Sequence, residues 1–167
     1  MAKSEGKKFE EDFESSVPSH ILCERYKDSP IKFKKVHNPA DFWINTGKLV
    51  LLVECKSTKL TSLPLKNIGM EQVWKMIERT SKLNTFGGFA INFRKLRKTY
   101  FIFLEDFLYW YLCVHDRESL SLEWISSHGY EIVSTKKIKR YKYGVSSLLK
   151  WVEHQKYVNP EGDICNV

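Results

Sequence analysis

The five apolar residues Leu49-Val50-Leu51-Leu52-Val53 run directly into Glu54-Cys55-Lys56, and this junction constrains the fold more than any other part of the chain. A run of that length and character predicts a strand buried on both faces, as in a sheet covered by helices. A buried strand ending in two charges needs partners for them, because an unpaired charge taken out of water is costly. Side chains alternate along a strand, so Glu54 and Lys56 share one face and Cys55 takes the other. Upstream, Asn45-Thr46-Gly47-Lys48 has the composition of a hairpin turn. Folding back there brings Asp41 across from Glu54, within about one residue pair, on the neighbouring strand. Two carboxylates and an ammonium then converge at the end of an apolar hairpin.

Such a set suits a hard divalent cation. Carboxylate oxygens favour Mg²⁺, with Mn²⁺ as a substitute, over a soft metal. The carbonyl of Cys55, between Glu54 and Lys56, would add another oxygen ligand. A cation held there would lower the pKa of a water and offset charge on a phosphate. Lys56 would orient the nucleophile or hold a non-bridging phosphate oxygen as a point charge. These are parts for hydrolysing a phosphodiester. The competing reading is a strand end that reaches solvent, with both charges hydrated. A second Glu-x-Lys, Glu5-Gly6-Lys7, sits in a polar N-terminal segment, so the tripeptide alone carries no chemistry.

At 167 residues the chain is long enough for one domain with a sizeable core, read as residues 1–167 with 1–4 and about 157–167 frayed. It carries 27 Lys and Arg against 20 Asp and Glu, a net charge of +7 that favours polyanionic partners. Its 4 cysteines show no CxxC spacing and no pattern with the 5 histidines, which argues against a zinc site or a disulfide framework and for a cytoplasmic setting. No apolar stretch follows Met1 to Lys8, so no secretory signal is expected, and Glu105 and Asp106 break the most aromatic segment, leaving no membrane span.

Phe9, Phe13 and Val17 recur at helical spacing, and Ile21 to Tyr26 reads as a further helical turn. Ile31 and Phe33 alternate with lysines as a half-exposed strand, and Thr58 to Asn67 reads as loop around Pro64. Met70, Val73, Trp74, Ile77 and Leu83 predict a helix over 70–83. Strands are expected at 88–93 and 100–104, helices at 105–114 and 120–127, an extended segment at 130–134 and a last helix at 145–154. The pattern is α/β, with a three- or four-stranded mixed sheet and a crossing helix.

Pro39, Asp41 and Glu54-x-Lys56 match the PD-(D/E)xK nuclease superfamily, a short and generic motif. A longer match is more specific: Lys56-Ser57-Thr58-Lys59, then Thr61-Ser62-Leu63-Pro64-Leu65-Lys66-Asn67-Ile68, then Gln72, resembles the RecU-type Holliday junction resolvases. Gly6 to Glu10, Gly87 to Ile91 and Tyr100 to Leu104 are similar to that family's first helix and later core strands, so the resemblance spans roughly residues 6–112. It implies a restriction-endonuclease-like core, a central mixed β-sheet flanked by helices, and a homodimeric, Mg²⁺-dependent endonuclease of branched DNA. By position it implies Asp41 and Glu54 as metal ligands, Lys56 as base or phosphate anchor, Glu10 as a further metal or water contact, and Gln72 as the residue orienting the site. Glu10 also fits a solvated acidic helix face, and Gln72 a solvent-facing amide. The family's stalk insertion has no room between Ile31 and Asp41, which marks a compact form.

Basic residues gather in three groups: Lys32, Lys34 and Lys35; Arg94, Lys95, Arg97 and Lys98; and Lys136 through Lys142 beside Tyr141 and Tyr143. With Lys7, Lys8 and Lys59 these are the candidates for phosphate contacts, which give salt-dependent and largely sequence-independent binding. Phe107, Tyr109, Trp110 and Tyr111 read as core or dimer-interface residues. Two alternatives remain: a non-catalytic DNA-binding protein of the same fold, and a nuclease of the same chemistry acting on ordinary duplex.

Overall fold

The apolar run of the predicted hairpin lies at the centre of a mixed sheet in the computed structural model, which describes residues 4–26, 38–114 and 118–158. In chain order the first elements are α1 (Glu5–Glu14), β1 (Leu22–Arg25), β2 (Phe42–Asn45), β3 (Val50–Thr58), β4 (Ser62–Pro64), α2 (Met70–Thr80), β5 (Thr85–Phe93) and β6 (Lys98–Phe103). They are followed by α3 (Leu104–Tyr109), β7 (Ser119–Ser121), α4 (Leu122–His128), β8 (Tyr130–Glu131), β9 (Ser134–Lys136), β10 (Tyr141–Tyr143) and α5 (Val145–Val158). Six strands form the main sheet in the order β1-β2-β3-β5-β6-β8. β3 and β5 run parallel, joined by α2 as the crossover; their other neighbours are antiparallel.

Period-two alternation along β3 divides the core. Leu51, Val53 and Cys55 pack with Phe9 and Phe13 of α1 and Leu148 and Val152 of α5. Leu52 faces the opposite layer with Val73 and Met76 of α2, Phe107 of α3 and Ile125 of α4. Thus the fold is α/β, with a central mixed sheet flanked by helices on both faces. Gly87 of β5 sets the distance of α2: a Cβ there would lie 2.7 Å from Met76 Sδ, so glycine lets the helix sit close to the sheet. No helix among the described residues is long and apolar enough to cross a membrane.

Several expectations are corrected. Residues 22–25 form an edge strand paired to β2 rather than a helical turn, because Arg25 to Leu22 find hydrogen-bond partners in Phe42 to Asn45. The segment 58–67 is not all loop: β4 pairs with β7, and a 3-10 turn follows at Leu65–Asn67. The sheet has six strands, since the short edges β1 and β8 exist only through pairing. On α2 the buried residues are Val73 and Met76; Trp74 is 63% exposed and Leu83 lies beyond the helix, 91% exposed. The helix expected over 105–114 is α3 followed by a π-helical turn, Trp110–Val114. The basic stretch after Ser134 is a hairpin, β9–β10. The expected strand at Ile31 and Phe33, with Lys32, Lys34 and Lys35, lies outside the described residues.

Candidate active site

β2 and β3 pair with Phe42 opposite Val53 and Asn45 opposite Val50, so Asp41, just before β2, lies beside the end of β3 that carries Glu54. The turn between them is closed by side chains: Asn45 Oδ1 accepts from Gly47 N at 2.8 Å, and Gly47 takes a left-handed φ of 87°. At the other end of the hairpin, Asp41 N donates to Val53 O, and Asp41 Oδ2 accepts from Cys55 N at 2.8 Å. The half-buried carboxylate of Asp41 is therefore fixed against β3 by a backbone hydrogen bond.

Glu54 is 4% exposed and both of its oxygens have donors. Lys56 Nζ donates to Oε1 at 2.7 Å, and Gln72 Nε2 donates to Oε2 at 2.7 Å. Gln72 lies in the first turn of α2, the helix that Gly87 allows against the sheet, so packing in the core delivers this amide to the site. The two donors favour the ionised form of Glu54. Burial and the neighbouring Asp41 charge outweigh them and push its pKa up to about 7. Asp41 is also raised, first by burial, against the lowering effects of the Cys55 N–H, Lys56 and Arg25.

Glu10 arrives from α1 on the opposite layer. Its carboxylate is ion-paired with the Arg25 guanidinium, and burial together with the Asp41 charge raises its pKa. Arg25 also lies over the Phe42 ring, 5.7 Å from the centroid. This arginine was missed from the sequence because its segment reads as a helical turn; the strand that positions it is defined by pairing with β2. The Cys55 thiol points into the α1–α5 core, and burial raises its pKa well above the ordinary value, leaving its backbone as the part available to the site.

The structure thus brings Asp41, Glu54, Lys56 and Gln72 together, with Glu10 and Arg25 adjoining. Among the described residues no three His, Cys, Asp or Glu side chains are grouped as a metal cluster; the carboxylates closest to that role are Asp41 and Glu54. Of the basic candidates, Lys7, Lys8, Lys59, Lys95, Arg97 and Lys98 are exposed and Arg94 is half-buried. Lys8 pairs with Glu5, and Lys98 with Glu131 at 3.7 Å. Lys34 and Lys35 lie outside the described residues.

The family model RecU, Recombination protein U, matches residues 27–145. The matched segment contains Asp41, Glu54, Lys56 and Gln72 and leaves out α1 with Glu10. It begins later than the resemblance noted in the sequence and extends past β10. No curated protein matches the chain. A solved structure of Archaeoglobus fulgidus Hjc, a Holliday junction resolvase from an archaeal hyperthermophile, is similar over 66% of this chain and 82% of that one, with 13% identity and a TM-score of 0.48.

Proposed function

Because this chain belongs to the RecU family, we propose that it is a structure-selective endonuclease that resolves Holliday junctions or other branched DNA by Mg²⁺-dependent phosphodiester hydrolysis. The observation that carries the chemistry is the convergence of the Asp41 and Glu54 carboxylates at the end of the β2–β3 hairpin, with Lys56 bonded to Glu54. Both carboxylates hold their protons more tightly than usual, first because they are buried, and a divalent cation would relieve that cost. The hard oxygen donors of this pair fit Mg²⁺ or Mn²⁺.

Asp41 and Glu54 would hold the cation, with the Cys55 carbonyl as a further oxygen and Glu10 as an additional contact. When bound, the cation supplies Lewis acidity, lowering the pKa of a water and offsetting charge on the phosphoryl group. Lys56 is 17% exposed, so its ammonium acts in a poorly solvated setting, where a point charge on a phosphate oxygen is worth more than in water. Gln72 keeps Glu54 in one orientation. In the overall reaction, water oxygen bonds to phosphorus, the phosphorus–ester oxygen bond breaks, and the leaving oxygen takes up a proton.

Resolution of a junction needs two cuts, and we infer that the protein works as a homodimer. Tyr109 at the end of α3 and Leu112 and Val114 of the following turn are exposed, apolar side chains that a second copy would cover. A DNA substrate also fits a cytoplasmic location.

The deciding experiment gives the protein a synthetic four-way junction and a linear duplex in competition, with Mg²⁺ and with EDTA. Preferential, Mg²⁺-dependent nicking of the junction is expected. Equal cutting of both substrates favours an ordinary duplex nuclease, and binding without any cutting favours a non-catalytic DNA-binding protein.

Gln72→Ala is expected to slow junction nicking about 10–100-fold, the usual effect of losing an outer-shell partner. It removes a hydrogen bond that favours ionised Glu54, so the acidic limb of the pH–rate profile moves to higher pH. A profile that falls in height without shifting would count against this role.

A further inference from the structure

The two basic segments that flank α1 meet in one cleft. Lys8 of α1, Asn92 of β5, Arg94 and Arg97 of the β5–β6 turn, and Lys139 and Arg140 of the β9–β10 hairpin line a space of about 250 Å³. Ser57 and Asn92 are register partners on β3 and β5, and Ser57 Oγ lies 3.5 Å from Asn92 Oδ1. The cleft therefore opens one residue beyond Lys56, on the opposite face of the sheet from Glu54.

The hairpin is held there by α1. Asp12, 4% exposed, accepts from Arg140 Nε and, at 3.1 Å, from Tyr141 N. Ser16 Oγ accepts from Tyr143 N at 2.9 Å, and Glu11 pairs with Arg140 at 3.2 Å. Arg140 is thus committed to a structural clamp. Arg94, Arg97 and Lys139 make no ion pair among the described residues.

Two further features point to an anion. Arg94 Nε is the buried side-chain polar atom without a hydrogen-bond partner among the described residues. Such an orphan donor is costly unless a ligand or water meets it. Arg97 takes a left-handed φ of 53°, a geometry that glycine or asparagine holds at less cost. An arginine at that position is accounted for by its side chain. The local field agrees: Glu5, on the cleft wall, is held below the usual carboxylate range, first by Lys8 and then by Arg94 and Lys59.

We propose that this cleft binds the phosphodiester backbone of the DNA substrate away from the scissile phosphate, with Arg94, Arg97 and Lys139 as its phosphate contacts. The proposal rests on the nuclease reading above and singles out Lys139 from the basic stretch 136–142, while it separates Arg94 and Arg97 from Lys98, which pairs with Glu131. Contacts of this kind set the register of the duplex on the protein.

The test uses Arg97→Gly together with Lys139→Gln. Glycine at 97 suits the left-handed backbone and both side chains are exposed, so the double variant should melt no lower than wild type. A control pair, Lys82→Gln with Lys150→Gln, removes the same charge from exposed positions on other parts of the surface. Binding of a labelled four-way junction is measured in EDTA across a salt series. Loss of two phosphate contacts is expected to make the slope of log K against log salt shallower by about 2, with the control pair at the wild-type slope. An unchanged slope in the cleft variant, or an equal change in both pairs, overturns the proposal. A separate arm adds inorganic phosphate at constant ionic strength. Phosphate-dependent stabilisation of wild type but not of the cleft variant, with an unchanged DNA slope, assigns the cleft to a small anion and also overturns it. Nicking by wild type with Mg²⁺ keeps the two readings apart: if it cuts while the slopes coincide, only the cleft assignment falls, and if it neither binds nor cuts DNA, both fall.

Discussion

Asp41→Asn is expected to abolish junction nicking while the protein still folds and still binds the junction. Asp41 Oδ2 accepts the Cys55 N–H at 2.8 Å, and the amide oxygen of asparagine can accept the same bond, so the β2–β3 hairpin loses no backbone contact. The variant loses a negative charge and a hard oxygen ligand. Even an outer-shell partner of a metal site is worth about 10–100-fold, so loss of one of the paired carboxylates should exceed about 100-fold in the single-turnover nicking rate. Binding in EDTA should be equal or slightly tighter, because one charge that repels the phosphate backbone is gone. Gel shift and single-turnover nicking on one labelled junction read both quantities. Nicking within a few-fold of wild type would remove Asp41 from the site. Loss of binding and cutting together would instead point to a folding defect, which a thermal melt of the variant would reveal.

The part of the site that this experiment addresses was legible in the sequence because it depends on local rules. The turn at Asn45–Lys48 and the period of two along β3 together place Asp41 near Glu54, and in the structure the two carboxylates are neighbours at the end of the hairpin. Gln72 was legible only through resemblance to a family, since helical spacing alone leaves an amide on either face. Arg25 was not legible. Its strand has the exposure of an edge and no hydrophobic alternation, and what makes it a strand is hydrogen bonding to β2. The β9–β10 hairpin escaped for a similar reason. Its anchor is Asp12 of α1, which lies 128 residues before Arg140, and a run of lysines gives no sign of such a partner. On α2 the expected stripe holds at Met70, Val73 and Ile77, but Trp74 fits the helical spacing yet faces out, while Met76, not expected there, fills the space beside Gly87. Local periodicity identifies an element; the neighbour it packs against decides which residues of that element are buried.

The second large effect concerns pH, and it follows from how the paired carboxylates are buried. Glu54 has an ordinary pKa of 4.5 and is pushed up to about 7 in the folded chain, by burial first and by Asp41 second. A carboxyl with a raised folded pKa binds its proton more tightly folded than unfolded. In chelator, stability should therefore be highest below the ordinary value and fall as pH rises through about 7, where the folded chain must carry the buried charge. The loss is on the order of 3 kcal/mol over that window, or roughly 5–10 °C in Tm for a domain of this size. A divalent cation binds the ionised carboxylates and reverses the loss, so the Tm increase on adding Mg²⁺ or Mn²⁺ should be larger at pH 8 than at pH 5. Asp41→Asn separates this effect from the titration of other groups. Without the Asp41 charge the pKa of Glu54 moves back toward its ordinary value, so both the alkaline loss in chelator and the cation-induced recovery should shrink. Thermal melts of wild type and Asp41→Asn from pH 4.5 to pH 8, with and without the cation, measure all of these quantities. Parallel profiles for the two proteins would show that the pair is not the source of the strain, and with it would go the physical reason for a cation between Asp41 and Glu54.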